Sequence, residues 1–145
     1  MIIKQISVFV ENRPGRIANA VNLFRRAGIN ISAMSLADAP QFGIFRVIVE
    51  ETDKAVQLLK DNGFVTEVTD VVAAEVYDRP GGLAEILDVL AANDLNVEYM
   101  YAYLTESPGK AIVLFRFEDT ERAVKALQNS RIRLVSPTEF WKVRR

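Results

Sequence analysis

A four-residue turn occurs twice in this chain, as Asn12-Arg13-Pro14-Gly15 and as Asp78-Arg79-Pro80-Gly81. The copies lie 66 residues apart, since 78 − 12, 80 − 14 and 81 − 15 all give that figure. In each copy an apolar, strand-like run leads into the turn and an amphipathic, helix-like run leaves it. A turn held at one place in a repeated unit predicts two copies of one small fold. A unit of roughly 65 residues buries too little surface to be more than marginally stable alone. Two such units supporting each other are expected, over residues 1–69 and 70–145.

Residues 2–10 alternate as a strand does, with Ile6, Val8 and Val10 on one face and Ser7 and Phe9 on the other. After Pro14-Gly15, Ile17, Ala20, Val21 and Phe24 recur at helical spacing, and Gly28 is placed to cap the helix end. Strands are expected over 29–36 and 42–49, joined by an Asp38-Ala39-Pro40 turn. A second helix capped by Thr52 or Asp53 turns Ala55, Val56, Leu58 and Leu59 inward and ends at Asn62-Gly63. A strand over 64–69 completes a βαββαβ unit.

The second unit repeats this plan. A strand over 71–77 precedes a helix over 82–92 that turns Leu83, Ile86, Leu87 and Leu90 inward. Asn96 aligns with Asn30, Val97 with Ile31 and Met100 with Met34 at the same offset of 66. Past the Ser107-Pro108-Gly109 turn the offset becomes 68 (118 − 50, 120 − 52), which places a two-residue insertion in a hairpin loop. A helix over 120–130 and a strand over 132–135 follow. Ser136-Pro137-Thr138-Glu139 has a capping-box pattern and opens a short terminal helix carrying Phe140, Trp141 and Val143. Right-handed crossovers put both helices of each unit on one face of a four-stranded antiparallel sheet. The expected fold is therefore α+β, two tandem ferredoxin-like plaits. The other sheet face is expected to be wet or covered by a partner, and Phe9 and Phe42 there point to association between units or chains.

Composition excludes several chemistries. No cysteine and no histidine occur, so disulfides, thiol chemistry, the usual general base and the commonest zinc ligands are absent. No catalytic residue, metal or cofactor is expected. The net charge of −1 and the pI of about 5.6 argue against nucleic acid, which needs a basic stripe. Arg131 and Arg133, like the terminal Lys142, Arg144 and Arg145, read as solvated surface. Tyr99, Tyr101 and Tyr103 share one strand face, as base-stacking aromatics would, but on a strand near the sheet edge. An interface or ligand-lining role suits them better. An acylphosphatase-like enzyme would need a Gly-rich loop ending in an aromatic-Arg pair, which this sequence lacks. Met1-Ile2-Ile3-Lys4-Gln5 is not a signal peptide, and no apolar run reaches membrane-spanning length, so a cytoplasmic protein with no membrane partner is expected.

The repeated turn joins a strand to a helix whatever else it does, because Pro presets the helical φ and Gly relieves crowding. It can also bind. Gly15, and the pair Gly81-Gly82, would let a carboxylate approach bare backbone N–H groups at a helix N-terminus, with Asn12 or Asp78 beside it for an ammonium or hydroxyl. Asn30 and Asn96 each precede an apolar strand, where they would either cap the preceding helix or offer a side-chain amide to a zwitterion.

Phe9-Val10-Glu11-Asn12-Arg13-Pro14-Gly15, with Ala27-Gly28-Ile29-Asn30-Ile31-Ser32 after the helix, resembles an ACT domain, the small regulatory domain of amino-acid metabolism. Tyr77-Asp78-Arg79-Pro80-Gly81-Gly82 through Asp94-Leu95-Asn96-Val97 resembles a second one. The resemblance covers nearly all of residues 1–135. It implies plaits that pair side by side and bind a free amino acid between them. The ligand-binding positions it implies are Asn12, Arg13, Pro14, Gly15 and Arg16 with Asn30, and Asp78, Arg79, Pro80, Gly81, Gly82 and Leu83 with Asn96. The first copy is most similar to the serine-sensing domain of phosphoglycerate dehydrogenase. It departs at Val10, where that pattern has a ligand-contacting histidine, so the resemblance does not extend to serine specificity. Asp78 carries a charge that Asn12 lacks and Gly82 replaces Arg16, so the two sites are not equivalent, and an ammonium should prefer the Asp78 copy. The expected protein is a stand-alone, non-enzymatic amino-acid sensor, a homodimer or higher homo-oligomer read by a regulated protein partner. The alternative is a structural oligomerisation module without a ligand.

Overall fold

The structure, a computed structural model, describes residues 1–38, 40–104 and 108–144. Ala39 of the first expected turn, Ser107 of the second and the terminal Arg145 lie outside the described residues, as do the side chains of Val143 and Arg144. The chain divides into two compact units, Lys4–Thr69 and Asp70–Arg145, and Met1–Ile3 belong with the latter.

The first unit contains β1 (Ile3–Glu11), α1 (Arg16–Ala27), β2 (Ala33–Asp38), β3 (Phe42–Ile48), α2 (Thr52–Asp61) and the opening residues of β4 (Val65–Tyr77). Its strand order is β2-β3-β1-β4, the plait order. The register keeps the apolar alternation in phase, with Ile6 opposite Val47 and Val8 opposite Phe45. Those residues and Val10 form one face, onto which α1 sets Ala20, Leu23 and Phe24 and α2 sets Ala55 and Leu59. Each such fully buried large apolar side chain contributes about 1.5–3 kcal/mol. On the opposite face Gln5 is fully buried, and its Nε2 donates to Thr69 Oγ1 at 3.0 Å. That bond offsets the cost of a buried amide.

The second unit takes β4 from Asp70 onward, then α3 (Gly82–Ala92), β5 (Val97–Leu104), β6 (Lys110–Phe117), α4 (Thr120–Gln128), β7 (Leu134–Val135) and α5 (Pro137–Arg144). Its order is β5-β6-β4 with β7 on the far side of β4, again a plait. Ile86 and Leu90 of α3 and Ala123 and Leu127 of α4 cover Val72, Ala74, Phe115 and Phe117. Two tandem ferredoxin-like plaits, each with both helices on one face, are thus present.

Several boundaries differ from expectation. The strands expected over 64–69 and 71–77 are one strand, β4. The strand expected from residue 29 begins at Ala33, because the preceding residues close the helix: Gly28 is left-handed (φ 69°) and the Ile29 N–H donates to the Phe24 carbonyl at 2.9 Å. Neither Thr52 nor Asp53 caps α2. Its N-cap is Glu51, while the Thr52 hydroxyl donates back to the Val49 carbonyl at 3.3 Å. The helix expected to reach residue 130 ends at Gln128, and the final strand holds only two residues, 134 and 135. Leu83, expected inward, is exposed, since the first turn of α3 runs ahead of the layer that Ile86 begins.

The outer sheet faces differ between units. In the second, α5 packs on part of it. Ser136 caps α5 by accepting the Glu139 N–H at 3.2 Å, and Phe140, 0% exposed, meets Tyr103 edge-on with ring centroids 5.5 Å apart. The C-terminal tail thus covers the part of this face around Tyr103, while Tyr77 and the Glu75–Lys110 pair on the same face stay open to water. In the first unit, Phe9 and Phe42 lie on the outer face 6.1 Å apart, and Phe42 remains 42% exposed.

Candidate functional site

The two repeated turns match bond for bond. In the first, the N–H of Arg13 donates to Glu11 O (2.8 Å), that of Arg16 to Arg13 O (3.4 Å) and that of Asn19 to Gly15 O (2.9 Å). In the second, Arg79 donates to Tyr77 O (2.9 Å), Gly82 to Arg79 O (3.0 Å) and Glu85 to Gly81 O (3.1 Å). Gly15 and Gly81 are the helix N-caps at φ 89° and 85°. An L-residue there would cost about 1–2 kcal/mol, although an added Cβ would meet nothing within 4 Å at either. Backbone handedness, not crowding, is what requires glycine. Neither helix start has a side-chain cap, so first-turn N–H groups stay available to an anion.

Asn12, Arg13 and Pro14 are exposed around the first turn, as are Asp78, Arg79, Pro80 and Leu83 around the second. Arg13 pairs with Glu11 at 2.9 Å, and Arg79 with Glu85 at 3.4 Å while lying 4.5 Å over the Tyr77 ring. The next position separates the repeats. Arg16 is half-buried with its guanidinium 4.8 Å over the Phe64 ring. Gly82 is buried, and a Cβ there would overlap the Tyr77 carbonyl oxygen. Its N–H, like that of Arg16, is already bonded within the turn, to the Arg79 carbonyl. Val10, at the position where the serine-sensing pattern has a histidine, is buried in the core opposite Gly43.

Asn30 and Asn96 are exposed and have no hydrogen-bond partner among the described residues. They are not helix caps. Gly28 closes α1, and α3 is closed by Asn93, whose side chain donates to Val89 O at 2.8 Å, and by Asp94 at φ 54°. Each lies beyond the C-terminus of the helix whose N-terminus carries the matching turn. At 1.5 Å per residue these helices are about 16–18 Å long. One repeat therefore does not bring Asn12 to Asn30, or Asp78 to Asn96.

Two clefts at opposite ends of α3 reflect that separation. A cleft of about 780 Å³ adjoins the second turn, with Val76, Ile86, Val89 and Ile132 beneath and Glu75, Arg79, Glu85, Lys110, Arg131 and Arg133 around it. Another of about 680 Å³ holds Asn96 beside Asp94, Glu118, Asp119, Glu121 and Arg122. In the latter, Arg122 Nη2 is bound to the Asn93 and Asp94 carbonyls (2.7 and 3.0 Å), and Asp119 accepts the Arg122 N–H at 3.1 Å. Sequence reasoning set Arg131 and Arg133 aside as solvated surface and did not single out Glu75, Glu85 or Lys110. The signal that bore on them was the replacement of Arg16 by Gly82. No cluster of metal-ligating side chains occurs among the described residues, and no helix is long and apolar enough to cross a membrane.

A family model described as an ACT domain pair matches residues 1–143. A solved structure of a protein from Bacteroides thetaiotaomicron is 34% identical, covers 98% of this chain and 97% of its own, and superposes with a TM-score of 0.90. The ligand-free regulatory subunit of aspartate kinase from Thermus thermophilus has the same fold, at a TM-score of 0.64 and 17% identity over 87% of this chain and 91% of that one. Among curated proteins, a probable acetolactate synthase small subunit of Archaeoglobus fulgidus is 39% identical over 54 residues, 36% of this chain. That match spans about a third (34%) of the relative's length.

Proposed function

The chain belongs to the ACT domain pair family, and from that premise we propose that it is a non-catalytic regulatory protein that senses a small free amino acid. The observation that carries this reading is the matched pair of turns. Each presents uncapped first-turn N–H groups to a carboxylate beside an exposed Asn12 or Asp78. Asn30 and Asn96 lie a helix length from the turn of their own repeat, so in this reading another repeat, in a homo-oligomer of this chain, completes each site. Ligand binding then favours one assembly over another, and a protein partner reads the difference. The names of the relatives support the reading, since one is a regulatory subunit of aspartate kinase and another a probable small subunit of acetolactate synthase.

The second reading, an oligomerisation module without ligand, is favoured by Met34, Leu36, Phe42 and Met100, all exposed apolar side chains on strands. Thermal-shift measurement with each of the twenty amino acids separates the two. A ligand at one hundred times its Kd adds about 2.7 kcal/mol of stability. A shift for one or a few amino acids, reduced by Asp78→Ala or Asn96→Ala with the unliganded melting point kept, supports sensing. No shift with any of them at millimolar concentration leaves the module.

A further inference from the structure

The cleft beside the second turn lies within one repeat, and its charges do not cancel locally. Lys110 Nζ and Arg133 Nη1 occupy the two oxygens of Glu75 at 3.0 and 2.9 Å. Arg79 reaches Glu85 Oε1 at 3.4 Å and leaves Oε2 open. Arg131, exposed at the mouth, has no ion pair among the described residues. Among the described residues this leaves the Arg131 guanidinium without an ion pair and Glu85 Oε2 outside the Arg79 contact, around a floor made by Val76, Ile86, Val89 and Ile132. A cation without an ion pair, beside a carboxylate held only by one long, exposed contact to Arg79, complements a zwitterion. An apolar floor complements an apolar side chain, because removing both from water is favourable.

The in-register comparison explains why the space is open. The counterpart of Gly82 is Arg16, and the counterpart of Ile132 is Phe64 (132 − 64 = 68, the late offset). In the first repeat that arginine lies over that phenylalanine at 4.8 Å, at the place where the second repeat has its cleft. Gly82 has no side chain to fill it.

We propose that this cleft is a binding site for an amino acid with an apolar side chain, with Arg131 holding the carboxylate and Glu85 the ammonium. This rests on the sensing reading and adds to it a ligand class and two residues outside the turns. Calorimetric titration of the full chain with leucine, valine, isoleucine, methionine, serine, aspartate and lysine tests it. One or more of the four apolar amino acids should bind best. Arg131→Gln should weaken that binding at least about tenfold, the loss of a charge-assisted bond, and Glu85→Gln several-fold. Arg25→Gln, exposed on α1, should leave it unchanged. Both cleft substitutions are at exposed positions, so unliganded melting should be retained and a lost signal can be assigned to binding. If serine, aspartate or lysine binds best, or if Arg131→Gln leaves affinity intact, the cleft assignment is overturned while sensing stands. If none of the seven binds and none of the twenty amino acids shifts the melting point, both fall.

Discussion

The two repeats share a backbone and differ in what they do with the same places. On the outer face, Phe9 and Phe42 form an aromatic pair in the first repeat, while the positions corresponding to them in the second, Glu75 and Lys110, form an ion pair at 3.0 Å. The first repeat leaves Phe42 largely open, whereas the second buries Phe140 of α5 completely. At the helix start, the first repeat stacks Arg16 on Phe64, and the second has a glycine and a cleft. Duplication preserved the elements that fix the fold, namely strand alternation, glycine at the left-handed N-cap and the apolar helix faces. It let the side chains around the turn diverge. A paired domain of this kind need not have paired sites.

The comparison can be broken most forcefully at the outer face. Phe140→Ala should destabilise the second repeat by about 3–5 kcal/mol, the cost of a buried aromatic truncation. Phe42→Ala, at a position 42% exposed, should cost well under half as much. Urea unfolding of both variants decides it, and equal losses would mean that α5 is not an essential cover.

A smaller contrast is expected at the helix start. Gly82→Ala forces a methyl against the Tyr77 carbonyl and should cost about 1–3 kcal/mol. Arg16→Ala gives up one cation–π contact over Phe64, worth about 0.5–1 kcal/mol at a partly exposed site, and gains helix propensity. If Gly82→Ala melts no lower than Arg16→Ala, the steric account of Gly82 is wrong.

The smallest contrast concerns the second helix of each repeat. Asp119 caps α4 through Arg122, whereas Glu51 at the start of α2 makes no side-chain cap. Asp119→Ala should lose about 1 kcal/mol and Glu51→Ala close to nothing, read as shifts in the denaturation midpoint.

Much of this was legible in the sequence because its signals are local. Ile6, Val8 and Val10 alternate, Ala20 and Phe24 recur at helical spacing, and the residue at 15 and 81 must tolerate positive φ. Asn30 and Asn96 were recognisable as odd residues for their place, and the structure gives the capping to Gly28 and Asn93 instead. Leu83 was misplaced because helical spacing gives a direction around the axis but not the depth at which the core begins. Arg131 and Arg133 were passed over because a charge on a loop gives no sign of what faces it. Whether it is solvated or lines a cleft depends on Ile86 and Glu75, far away in the chain.

The sequence by itself determined the repeat, the order of the elements and the two left-handed glycines, since these follow from periodicity and from which residues tolerate a given φ. Tertiary structure alone decided that one strand, β4, serves both plaits, that the C-terminal helix packs on part of one outer face, and that the turns sit a helix length from their asparagines. It also decided that Gly82 packs against the Tyr77 carbonyl and lines a cleft, whereas the corresponding Arg16 lies over Phe64 in the other repeat. The physical reason is range. Backbone preference acts between neighbours in sequence, whereas burial, cover and an unpaired charge depend on residues that only folding brings together.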